Sequence, residues 1–264
     1  MPSTNQFLIV THVPHIQYEG KLYAYGPYVR EMNIWLSHVE NYVLVAPTSE
    51  AIAPSAIDLA YSKKPLRHRV IDSLDFTSAK KIPGSAMAAF KIIFTLMGEM
   101  AKTNPIHLRC PGNVGLLGTL VQIGFPFKKK TAKYAGNWDW RSKQPISYRL
   151  QQYILRSPYL TSNMTALVYG KWPDLTKNIK PFFTASYFEK EKVPVSKSSP
   201  KESIEMVFLG VLETYKSPDI ALEVAKILKD SGVPFHLKFC GEGSQRRKPI
   251  FLFLFQNQKD GPKQ

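Results

Sequence analysis

The stretch 204-IEMVFLGVLETYKSPDIALEVAKILKDSGVPFHLKFCGEG-243 decides the fold. Ile204 to Leu209 is apolar and β-branched enough for a strand, and Gly210 ends it. Ser217-Pro218-Asp219 then opens a helix: Ser217 is a candidate cap, Pro218 suits the first turn, and Asp219 suits the positive dipole end. Ile220, Val224, Ile227 and Leu228 recur at helical spacing, and Gly232 stands where a left-handed C-terminal cap is wanted. Phe235 to Cys240 reads as a second strand, broken by Gly241-Glu242-Gly243. The unit is βαβ, with parallel strands and a right-handed crossover.

Both loops leaving the carboxyl ends of those strands open on one edge of the sheet, where such folds bind ligands. Lys216 lies in the first loop and the glycines in the second. A lysine beside glycine-exposed N–H groups and a helix N-terminus suits a diphosphate. An ordinary βαβ unit with a surface lysine would carry the same residues.

The segment from Gly210 to Gly243 resembles the opening of the donor-binding domain of family-4-type glycosyltransferases with the GT-B fold. That family has a strand, then G-R-L, a lysine a few residues on, a helix, and a second strand ending in G-x-G. Gly210, Leu212, Lys216, Gly241 and Gly243 match, whereas Val211 stands where the family carries arginine. The resemblance implies sugar transfer from a nucleotide-sugar donor to an unidentified acceptor, with retention of configuration and without a metal or other cofactor. It implies donor contacts at Lys216, Gly241 and Gly243. It also implies a catalytic position at the carboxyl end of the strand 106-IHLR-109, filled by Arg109 or His107. A structural salt bridge is the other reading of Arg109.

At 264 residues the chain has room for one large or two modest domains. We place an N-terminal Rossmann-like, acceptor-side domain over 1–192, a polar linker over 193–203, and the first βαβ unit of an incomplete second such domain over 204–248. The last residues, 249-PIFLFLFQNQKDGPKQ-264, have no helical period and read as an aberrant tail. In the resembling family further βα units and a pair of donor-gripping glutamates follow at this point. A truncated, impaired enzyme is therefore expected, with a non-catalytic fragment that binds acceptor or membrane as the alternative.

No apolar run approaches the roughly 20 residues of a membrane span, and no secretory signal is expected from 1-MPSTNQFLIVTHVPH-15. Cys110 and Cys240 are too few for a disulfide framework or metal cluster, which points to reduced thiols and a cytoplasmic protein. The net charge of +15 calls for an anionic partner. It is clustered at Lys128, Lys129, Lys130, Lys133, Arg141, Lys143, Arg149 and Arg156. No nucleic-acid-binding signature accompanies these residues, so an anionic membrane face or phosphorylated substrates fit better, and a solvated basic face fits as well.

Phe7 to Val10 is the first strand, and no G-x-G-x-x-G follows it, against a dinucleotide-binding oxidoreductase. A long loop comes next, containing His12 and His15, which lack further metal ligands at useful spacing and are candidates for acceptor contact. Gly26-Pro27 opens a helix where a phosphate could approach free N–H groups, and by the resemblance Gly26 lies beside the donor diphosphate. Residues 48–69 read as irregular and end in the basic knot Lys63, Lys64, Arg67 and Arg69. A helix follows to about Ala101, on which Met87, Phe90, Phe94 and Met97 form a stripe expected in the core.

Overall fold

The computed structural model describes residues 6–74, 82–183, 188–194 and 203–247. The tail 249–264 and most of the linker lie outside the described residues. The chain divides into two compact units, Met1–Lys192 and Val193–Gln264.

The first unit is built on a seven-stranded sheet of order β10-β9-β8-β7-β1-β4-β6. Its strands are β1 (Gln6–Val10), β4 (Asn41–Ala46), β6 (Arg67–Val70), β7 (Ile106–Cys110), β8 (Lys130–Tyr134), β9 (Met164–Tyr169) and β10 (Ile179–Phe182). All neighbours pair in parallel. The order runs outward both ways from β1 and β7, as in a doubly wound nucleotide-binding sheet, which puts the topological switch between these two strands.

Alternation within each strand sends side chains to two cores. Leu8, Val10, Val43, Val45, Ile106 and Leu108 face α2 (Ile82–Lys102) and α3 (Asn113–Val121). Phe7, Ile9, Tyr42 and Leu44 face α1 (Gly26–Leu36), meeting Val29, Met32 and Leu36. Being covered on both faces explains why β1 and β4 read as unbroken apolar runs rather than alternating ones.

Four strands of this unit lie where the sequence reads as loop. The expected long loop after β1 contains β2 (Ile16–Tyr18) and β3 (Lys21–Tyr25), an antiparallel hairpin. Its turn is Glu19-Gly20, both with positive φ, the backbone a two-residue hairpin requires. The region expected to be irregular holds β5 (Asp58–Ala60), which pairs with β3, and β6. There the basic knot is partly structural, since Arg67 and Arg69 both bind the buried carboxylate of Glu99 on α2, at 3.2 and 2.8 Å. Burial opposes ionisation of Glu99, but the two guanidinium groups outweigh it and hold its pKa below the ordinary range.

The expected core stripe of α2 is a correction. Met87, Phe90, Phe94 and Met97 point outward, and Phe90 and Phe94 pack edge to face at 4.7 Å. The inner face is Ala88, Ile92, Leu96 and Met100. The helix is apolar nearly all round, so its period offers two stripes, and the sheet takes the one with smaller and branched side chains. Residues Gly84–Lys102 are long and apolar enough to cross a membrane by length and composition alone.

The basic cluster is also divided by the fold. Lys133 is fully buried, and Lys130 is inside, with its Nζ donating to the carbonyls of Gln122 and Phe125. Burial lowers the Lys130 pKa to about 8. Lys128 donates to the Ala101 and Thr103 carbonyls at the end of α2.

In the second unit β11 (Ile204–Leu209) and β12 (Phe235–Cys240) pair in parallel over six residue pairs, joined by α5 (Pro218–Asp230). Ser217 adopts a left-handed conformation at the start of α5 and makes no side-chain cap, so the capping expectation fails. Gly232 does take positive φ beyond the helix end.

Candidate functional site

Each unit presents a candidate edge at the carboxyl ends of its parallel strands. In the first unit that edge lies at the switch between β1 and β7. The β1 strand leads into Thr11 and His12, while β7 leads into Cys110-Pro111-Gly112 and the start of α3. His12 lies against Gly112, where a Cβ would approach its Nδ1 to 2.9 Å. The absent side chain therefore lets the two loops close over each other. Desolvation, then the charge of Arg109, lower the His12 pKa, which favours the neutral ring, one nitrogen of which accepts a hydrogen bond while the other donates one.

Beneath this rim sits an ionic cluster on the α1 side of the sheet. Lys133 Nζ donates to Glu31 Oε2 at 2.6 Å, and Arg109 Nη1 reaches the same oxygen at 3.3 Å. Glu31 Oε1 has no partner among the described residues. Arg109 also lies over the Tyr28 ring at 5.3 Å, and Lys133 over the Phe182 ring at 4.7 Å. Two cations on one carboxylate leave the cluster positive overall. Glu31 comes from α1, Arg109 from β7 and Lys133 from β8, so the cluster also ties three elements together. Arg109 is thus a salt-bridge partner, as one of its two readings expects, and its side chain keeps 14% exposure.

The other expected residues are placed differently. His107 is fully buried in mid-strand, against Trp35 at 5.0 Å, with Nδ1 on the Thr131 hydroxyl at 2.8 Å. Burial, then the charges of Arg109 and Lys133, lower its pKa to about 3. A group so enclosed cannot touch a substrate, and alternation on β7 is the reason, because the strand buries this position under α1. His15 is equally enclosed. Its Nε2 pairs with the Tyr61 hydroxyl at 2.8 Å, and the ring stacks on Tyr61 with His68 against its edge. Burial and the neighbouring His68 lower its pKa to about 4. Of the two loop histidines, only His12 is exposed.

Gly26 has a packing reason of its own. Its N–H donates to the Ile57 carbonyl at 2.9 Å, and a Cβ would meet that oxygen at 2.5 Å. The N–H expected to face a phosphate is therefore already bonded, and the next residue, Pro27, has none.

In the second unit, Lys216 is exposed at the end of a short turn, Thr214–Lys216, directly before α5. Its ammonium has no carboxylate partner among the described residues; it lies 6.0 Å from the Tyr215 ring. Gly241 and Gly243 lie on the neighbouring loop. A Cβ on Gly241 would overlap the Gly210 carbonyl oxygen, and one on Gly243 would overlap that of Leu212. The loops pack backbone against backbone, so both positions require glycine sterically, whatever they bind. The N–H groups of Gly241 and Gly243 make no hydrogen bond among the described residues. Sequence reasoning missed Glu31 and read Lys133 only as part of a basic cluster; their partnership spans about a hundred positions and has no local signal.

The fold of the whole is α/β and GT-B-like. It matches the crystal structure of a protein assigned as a UDP-N-acetylglucosamine 2-epimerase from Listeria monocytogenes. The TM-score is 0.53 at 9% identity, over 99% of this chain and 68% of that one. No protein-family profile matches the sequence, and no curated protein does.

Proposed function

We propose that the chain acts on nucleotide sugars as a glycosyltransferase, moving a sugar from a nucleotide-diphosphate donor to an acceptor held by the first unit. The observation that carries this reading is the second-unit edge. There Lys216, the first turn of α5 and the N–H groups of Gly241 and Gly243 follow two adjacent parallel strands. Among the described residues, neither the Lys216 ammonium nor these two N–H groups have a hydrogen-bond partner. Oriented N–H groups and a cation stabilise a departing diphosphate electrostatically, without a metal. On this reading, in the first unit His12 contacts the acceptor and Arg109 takes the catalytic position at the switch.

Val211 in place of the arginine found in the resembling family leaves Lys216 as the principal cation, so donor affinity rests heavily on it. Calorimetry with uridine, guanosine and adenosine diphosphates, comparing Lys216→Ala with the unchanged chain, tests this. A charge-assisted contact is worth about 1.5–3 kcal/mol, so affinity should fall roughly tenfold or more. Equal, measurable affinity in both proteins sinks the assignment. The likeness to a protein assigned as an epimerase favours one second reading, epimerisation of a nucleotide sugar. Recovery of an epimerised nucleotide sugar without acceptor would select it.

A further inference from the structure

Away from the switch and the second-unit edge, one cavity combines aromatic side chains with two arginines that form no salt bridge among the described residues. It lies between Trp140, in the loop after β8, and α4 (Ile146–Arg156), and measures about 440 Å³. Its lining includes Trp140, Arg149, Gln152, Tyr153, Arg156 and Ser157. Among the described residues two guanidinium groups and no carboxylate line the space, while Asp139 and Asp174 line an adjoining cavity that shares Trp140 and Arg156. Arg149 has no side-chain hydrogen bond or ion pair among the described residues. Arg156 makes one long contact, to the Asp174 carbonyl at 3.5 Å.

The loop that carries Trp140 is held stiffly. Trp138 is buried edge-on against Tyr134 at 5.0 Å. Gln152 donates to the Asn137 carbonyl, and Gln144 and Ser142 both donate to that of Asp139. Asn137 and Asp139 each cap a following N–H with their own side chains. This many bonds in a surface loop fix Trp140 opposite α4 before anything binds, which is what preorganised recognition needs.

We propose that this pocket binds a sugar ring carrying an acidic group, as the acceptor-recognition site of the chain. Trp140, whose ring also carries the Arg141 guanidinium at 5.3 Å, and Tyr153 are exposed and stack on the apolar C–H face of a pyranose, while Arg149 and Arg156 take its carboxylate or phosphate through planar guanidinium contacts. The volume lies within the range of small-ligand sites. The proposal deepens the glycosyl-transfer reading, which supplies the expectation of a bound sugar, but its test does not use the donor edge.

Saturation-transfer NMR and calorimetry on the full chain, with D-glucuronate, α-D-glucose 1-phosphate, D-glucose, inorganic phosphate and uridine monophosphate, decide it. Glucuronate or glucose 1-phosphate should bind, the tighter of the two identifying the acid, and glucose and phosphate should bind at least tenfold more weakly. Arg149→Gln with Arg156→Gln should cost tenfold or more, and Trp140→Leu or Tyr153→Leu about fivefold. These side chains stand at the surface or only partly buried, so circular dichroism should show an unchanged fold. Lys216→Ala should leave this binding intact, so loss of nucleotide binding alone would sink the transferase reading and not this one. Phosphate binding as tightly as the sugar acids, tighter binding of uridine monophosphate, indifference to the arginine and aromatic changes, or no binding at all would each overturn the proposal.

Discussion

The two units use the same local grammar, an apolar strand stopped by glycine and followed by an amphipathic helix, and they bury very different amounts of it. In β1 four of five residues are buried, from Phe7 to Val10. In β11 none is, and Leu209 at its end is 83% exposed. The strand β1 has a neighbour on each side and helices over both faces; among the described residues β11 has one neighbouring strand and one helix. On α5 only Pro218, Leu222 and Ala225 are buried, while Ile220, Val224 and Ile227, at helical spacing, stay in the open. An apolar pattern specifies an element, but a core forms only where a second layer closes on it.

Hydrogen exchange on the full chain puts the largest strain on this contrast. Amides of β1, β4 and β7 should exchange only through global opening of the first unit, those of β11 and β12 through local opening. A gap of about four orders of magnitude is expected, roughly 5.5 kcal/mol. Equal protection in the two sheets would remove the distinction.

The buried ionic cluster sharpens the comparison, because the second unit has nothing equivalent among its described residues. Glu31→Gln leaves Arg109 and Lys133 without their shared carboxylate and should cost the first unit about 3–5 kcal/mol in denaturant unfolding. Lys133→Met should cost distinctly less, because Arg109 keeps Glu31 paired. A Glu31→Gln protein as stable as its parent would show that the cluster holds nothing together.

Acid should act on the first unit in the same selective way. Burial lowers the His15 pKa to about 4 from 6.5, so the unfolded chain takes up the proton first. The stability tied to this neutral ring is complete above pH 6.5 and is lost as pH falls towards 4, by about 3 kcal/mol for this group. His107, lowered to about 3, adds loss over a similar interval extending further into acid. Unfolding midpoints measured from pH 7 to 4 should fall steeply in the parent and less in His15→Gln. Parallel slopes would rule out His15 as the titrating group.

What the sequence disclosed follows from how local each signal is. Both second-unit strands are where their apolar runs end, because Gly210 stops the first and Pro234 and Gly241 bound the second. The hairpin β2–β3 escaped because aromatic and polar residues alternate there over only three to five positions, too short for a period to stand out. The outward stripe of α2 was misassigned because periodicity gives the faces of a helix and not which one the sheet will accept. At the candidate edges, glycines and Lys216 could be placed from their loops. The burial of His15 and His107 could not, since it depends on α1 and on Tyr61, which approach from elsewhere in the chain.

The turned-out stripe of α2 also grades the chain's sulfur chemistry. Met87 and Met97 stand 60% and 47% exposed, whereas Met32 and Met100 are wholly enclosed. Conversion of a thioether to a sulfoxide adds polarity that a packed interior resists and a wet surface tolerates. Peroxide therefore meets the outer pair first and spends itself where neither core loses a contact. Met32 and Met100 are reached only once the first unit opens, so sulfoxide at those two positions records unfolding, and sulfoxide on the outer pair records only exposure to oxidant.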